Sequence, residues 1–217
     1  MFGGIAVSDY FNSMDSQQLD VFREIGNIGA GNAVTALATM LNKTIDMSIP
    51  DVQIVPFNEI VNILKGPETL VVGQLVDLTG DLTGYILLIL GVEDAYEMVS
   101  VALGTKYDIP ENPQSLDLDE VGMSALTEMA NILVGSYLSA ICTLTNLNVT
   151  PSIPYMAVDM VGAIISIVAI EYGKVGDSVL FLKTQFSDIE TDMAGHFFLL
   201  PDLESYKVLM KSLGIEP

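Results

Sequence analysis

Residues 20–50, DVFREIGNIGAGNAVTALATMLNKTIDMSIP, and residues 124–154, SALTEMANILVGSYLSAICTLTNLNVTPSIP, carry one pattern twice. The first copy places Asp20, Glu24, Asn27, Gly31 and Pro50. The second places Ser124, Glu128, Asn131, Gly135 and Pro154, each 104 residues later. Hydrophobic periodicity repeats a class of residue, not individual acids and amides at a fixed distance. The constant offset therefore predicts an internal duplication that holds two equivalent chemical sites.

Outward from these stretches, residues 16–42 predict a long helix. Asp15 or Ser16 can cap it, Leu19, Phe22, Ile25 and Ile28 recur at helical spacing, and Asn42 and Lys43 close it. Residues 119–145 repeat the design, with Asp117 or Asp119 as cap and Leu126, Met129, Leu133 and Leu138 inside. The runs Thr44–Ile49, Val52–Val55, Leu70–Val76 and Tyr85–Leu90 predict strands, and Val92–Leu103 a short helix stopped by Gly104. Leu87–Gly104 matches Phe197–Gly214 without gaps at an offset of 110, so the second half has gained six residues after Pro154. The expected fold is α/β with a pseudo-two-fold internal duplication: a mainly antiparallel sheet with two long motif-bearing helices. It forms a single domain of two repeats, about 16–104 and 119–214, linked near Glu111, Asn112 and Pro113, with residues 1–15 as an N-terminal extension.

Composition narrows the partners. Half of the 217 residues are hydrophobic, enough for one sizeable core. The net charge of −20, from 28 acids against 8 bases, disfavours nucleic acid and acidic membrane surfaces, both of which need clustered Lys and Arg. No secretory signal is visible in residues 1–12, and the longest apolar run, Val161–Ile170, is about half a membrane span, so a cytoplasmic protein without membrane insertion is expected. Cys142 and His196 are single, which leaves no internal disulfide and no cysteine metal cluster. His196 lies among Phe197, Phe198, Leu199 and Leu200, where a structural role in a strand is expected.

On a helix, positions i, i+4, i+7 and i+11 lie close to one line, so each copy presents an acid, an amide and a gap on one face. Glu24 and Glu128 supply a charge for a Lys or Arg. Asn27 and Asn131 supply donors and an acceptor on a short arm suited to orienting water. No strong nucleophile accompanies them. Such a face suits an already activated substrate, of which a phosphoryl group on another protein's carboxylate is one. The glycines of Gly26-Asn27-Ile28-Gly29-Ala30-Gly31 are spaced wrongly for a dinucleotide loop and are expected to serve close helix packing.

The doubled pattern (Asp or Ser)-x3-Glu-x2-Asn-x22-Pro, with EIGNIGAGNA at residues 24–33, resembles the CheC family of chemotaxis phosphatases. With two copies rather than one, and no flagellar switch domain appended, the chain is similar to the CheC type rather than the CheX or FliY type. The resemblance implies that phosphorylated CheY is the substrate and that Asn27 and Asn131 orient the hydrolytic water. It implies that Glu24 and Glu128 pair with a lysine of the regulator, while Asp20, Ser124, Pro50 and Pro154 shape the site. The Mg²⁺ of the reaction is expected on CheY, with no cofactor on this chain. The resemblance also implies binding of the receptor deamidase CheD through Pro154–Ile165, with Asp159 and Met160 as the contact element. An adaptor that sequesters CheD or docks CheY without turnover is the alternative.

Overall fold

The computed structural model describes residues 16–48, 51–110, 113–172, 178–187 and 192–215. The first half runs α1 (Ser16–Leu41), β1 (Asp46–Met47), β2 (Asp51–Pro56), a 3-10 turn leading into α2 (Ile60–Ile63), β3 (Leu70–Gly80), β4 (Gly84–Gly91) and α3 (Val92–Leu103). The second half runs α4 (Glu120–Thr145), β5 (Val149–Pro151), β6 (Tyr155–Met160), α5 (Val161–Tyr172), β7 (Ser178–Ser187), β8 (Asp192–Pro201) and α6 (Leu203–Ser212). The element orders of the halves correspond one to one.

Both long helices end for a local reason, and α4 begins for one. Asp119 adopts the extended conformation before α4, and its carboxylate accepts from the Gly122 amide at 2.8 Å, so it supplies the cap rather than Asp117. Asp15 lies outside the described residues. Past the C-terminal ends, Asn42 (φ 50) and Asn146 (φ 57) take the left-handed conformation that asparagine tolerates.

The eight described strands form one sheet, and every ladder is antiparallel, as expected. Its order is β1-β7-β8-β4-β3-β5, with β2 also on β7 and β6 also on β3. Exchanging each strand for its counterpart in the other half returns the same order read backwards. Strands β1 and β2 leave their own half to pair with β7, and β5 and β6 cross to pair with β3. At the centre β4 meets β8, with Leu87 opposite Phe198 and Leu88 opposite Phe197.

Helices cover both faces. On one face Phe22 and Ile25 of α1 pack with Tyr137, Leu138 and Ile141 near the end of α4. Further along, Ala33 and Leu37 pack with Leu126, Met129 and Ala130 near its start. The two motif helices therefore lie antiparallel. The crossing is close at Gly29, where a Cβ would stand 2.5 Å from Cδ1 of Tyr137. That ring is fixed from behind by Phe197, whose centroid lies 4.6 Å away. On the other face Ile60 and Leu64 of the first half, and Val161, Ile164 and Val168 of α5, cover Leu87, Ile89, Phe181 and Phe198.

Two details differ from the sequence reading. Leu87 lies on the α5 face and Phe197 on the α1 face, so the ungapped match at 110 puts the central strands one residue out of step. In the closing helices the buried triplet Ala95, Met98 and Val99 answers to Tyr206, Leu209 and Met210, an offset of 111. Part of the length gained after Pro154 falls in the connection that holds α5: 17 residues (161–177) separate β6 from β7, against 13 (57–69) between β2 and β3.

Candidate functional site

Asp20, Glu24, Asn27 and Gly31 all lie on the exposed side of α1, while Phe22, Ile25, Gly29 and Ala33 point inward. Ser124, Glu128, Asn131 and Gly135 occupy the exposed side of α4 in the same way, opposite Leu126, Met129, Leu133 and Val134. The spacing of each copy thus produces one line of polar side chains facing solvent. Among the described residues, the side chains of Glu24, Asn27, Glu128 and Asn131 have no hydrogen-bond or ion-pair partner within the chain.

Gly31 and Gly135 separate from Gly29. A Cβ built at either position meets no atom within 4 Å. Packing inside the chain therefore explains Gly29 but not Gly31 or Gly135, which departs from the reading of the run 26–31 as helix packing throughout. An exposed mid-helix glycine costs about 1 kcal/mol relative to alanine, and no internal contact offsets that here.

Pro50 lies outside the described residues. Pro154 is buried at the entrance to β6. Beyond it, Asp159 and Met160 end β6 in exposed positions, and the Met160 amide donates to the Asp159 carboxylate at 2.7 Å. Farther along α5 the side chains of Ile167 and Ile170 are exposed as well, while Val161, Ile164 and Ile165 are buried. The segment is half core and half surface.

Two features of the first face are absent from the sequence reading. Arg23 reaches back one turn and pairs with the Asp20 carboxylate at 2.5 Å; an acid and a base three apart on a helix are the available signal. The second face has Ser124 and Thr127 at the corresponding positions and lacks both charges. Asp20 and Glu24 also line a cleft with Leu144 and Leu213, which come from the ends of α4 and α6. Nothing local in the sequence announces that neighbour set.

His196 sits away from both faces, on the α5 side of the sheet between Ile89 and Lys183. Its ring stacks on Phe181 at 5.8 Å, and its buried Nδ1 has no hydrogen-bond partner among the described residues. Burial, with the nearby charges of Lys183 and Lys65, lowers its pKa to about 4, so the imidazole is neutral at pH 7. Among the described residues no group of three or more His, Cys, Asp or Glu is placed to hold a metal ion. Helix α4 is long and apolar enough to cross a membrane by length and composition, but it packs into the core against α1.

A sequence profile described as the CheC-like family matches residues 18–54 and 121–154, the two stretches that carry the exposed motif faces. The chain is 36% identical over 207 residues to the CheY-P phosphatase CheC of Bacillus subtilis (strain 168), covering 94% of this chain and 97% of that protein. The chain belongs to the CheC-like family. Another relative of this CheC-like chain is the flagellar motor switch phosphatase FliY of the same organism, 27% identical over 143 residues; the match covers 66% of this chain and 36% of FliY. In fold, the CheC-like chain is similar to Thermotoga maritima FliY, with a TM-score of 0.72 at 18% identity over 93% of this chain and 98% of that one. It is also similar to a chain of the FliM–SpeE complex of H. pylori, with a TM-score of 0.69 at 13% identity over 93% and 98% of the two chains.

Proposed function

We propose that this chain is a cytoplasmic chemotaxis phosphatase that hydrolyses the aspartyl phosphate of the response regulator CheY. The observation that carries the reading is the pair of exposed faces on α1 and α4. Each presents an unpartnered glutamate and asparagine beside a glycine that no internal packing requires. The relative named CheY-P phosphatase CheC supports the choice of substrate. On this reading the chain is one domain of two repeats, about residues 16–104 and 119–214.

The chemistry follows from what the faces contain and what they lack. An acyl phosphate has a carboxylate as leaving group, of low pKa, so its departure needs no general acid. Water attacks phosphorus, the bond from phosphorus to the carboxylate oxygen breaks, and the products are the free aspartate and dihydrogen phosphate. What is left to catalyse is position. Asn27 or Asn131 holds the attacking water in line with the breaking bond. Glu24 or Glu128 pairs with a lysine of the regulator and fixes the docking pose. Gly31 and Gly135 leave room for the partner's backbone, and Asp20, Ser124, Pro50 and Pro154 shape the faces. The Mg²⁺ that neutralises the phosphoryl oxygens belongs to CheY.

Changing Asn27→Ala together with Asn131→Ala should slow stimulated phosphate release from phosphorylated CheY by about 100-fold, the scale of losing a positioned reactant. The circular dichroism spectrum should be unchanged, because both side chains are exposed. Undiminished release by a folded double variant would defeat the mechanism.

A second activity fits the other exposed region. Asp159 and Met160 end an edge strand and lie in the half where α5 outgrows α2. We assign that segment to binding of CheD. Asp159→Ala should weaken CheD in a calorimetric titration while sparing phosphate release, and equal affinity would remove the assignment.

A further inference from the structure

The first motif face continues into a cleft of about 440 Å³ lined by Asp20, Val21, Glu24, Leu144, Ser212 and Leu213. Leu144 sits on the last turn of α4 and is 41% exposed, while Leu138 and Ile141 on the same helix are buried. Arg23 pairs with Asp20, which leaves Glu24 as the acid at the rim without a partner among the described residues. The cleft thus combines an apolar floor with one open carboxylate.

We propose that this cleft is a specificity pocket that receives an apolar side chain of the phosphorylated response regulator, next to the lysine or arginine that Glu24 pairs. The proposal rests on the phosphatase reading above. The occupant follows from charge and continuity: the same Glu24 that faces the partner forms the cleft wall, and it calls for a cation flanked by apolar surface. Seating an apolar side chain on Leu144 and Leu213 removes water from around the ion pair, which strengthens that pair as well as burying area. The second face has a floor residue of its own. The position 104 residues before Leu144 is Met40, 39% exposed, and it ends the helix that runs antiparallel beside the start of α4. Leu144 therefore selects at the first face alone.

The test isolates each face. Leu144→Ser is introduced into the Asn131→Ala chain, where the first face works alone, and into the Asn27→Ala chain, where the second does. Phosphate release is followed against the concentration of phosphorylated regulator. In the Asn131→Ala chain KM should rise about five- to tenfold with kcat within about twofold, the scale of one interfacial leucine. In the Asn27→Ala chain neither constant should move, and Leu144→Met should restore most of the affinity at the first face. A KM unchanged in the first chain, or raised equally in both, overturns the pocket and leaves the phosphatase standing. If neither single-asparagine chain accelerates release beyond the double variant, the phosphatase reading falls and the pocket with it.

Discussion

A buried imidazole nitrogen without a hydrogen bond is a liability, and His196, at the α5 side of the sheet, has none at Nδ1 among the described residues. Its folded pKa of about 4 lies below the ordinary histidine value near 6.5, so between those values the unfolded chain binds the extra proton. Stability should therefore be fully present above about pH 6.5 and fall by up to about 3 kcal/mol as pH drops to about 4. Asp94 acts in the opposite sense, because burial raises its pKa and acidification relieves that penalty. A His196→Leu chain isolates the histidine: its urea midpoint should lose less than the parent's between pH 7 and pH 4.5. Equal losses would show that the imidazole does not titrate with folding. That His196 is structural was legible from its phenylalanine and leucine neighbours. Its orphaned nitrogen was not, because the cross-strand partners Ile89 and Lys183 are remote in sequence.

At the level of elements, the bounds of α1 and α4 were readable nearly to the residue, since helix period and terminal asparagines agree, joined at α4 by the Asp119 cap. Helix α5 was not assigned. Its run VGAIISIVAI is apolar on every side and rich in β-branched residues, and such a run does not distinguish a buried strand from a helix. The packing of α1 on α4 gives two glycines of α1, Gly29 and Gly31, opposite expectations. Gly29→Val drives a branched side chain into Tyr137, itself held by Phe197, and should cost about 2–3 kcal/mol. Gly31→Ala meets open space and should stabilise by about 0.5–1 kcal/mol through helix propensity. Urea denaturation of the two variants checks both signs. If Gly29→Val matches the parent, the close crossing is not a constraint on the fold.

For the molecule as a whole, the repeated motif announced two halves but not their interleaving. Strand exchange is a non-local property: nothing within β1 or β2 says that its partner is β7 rather than β3. The same interleaving bears on chain order. Ser212 and Leu213, past the end of the last strand, share a cleft with Asp20 and Val21, near the start of α1. That junction is the counterpart of the one already made inside the chain, where Gly104 leads through residues 105–119 into α4. The finished sheet should therefore not depend on which half is translated first. A circular permutant that starts at Pro113, runs to residue 215 and returns to Ser16 through a short Gly/Ser linker should fold with the parent's circular dichroism and oligomeric state. An unfolded permutant would mean that the order of synthesis, and not only the final pairing, is written into this architecture.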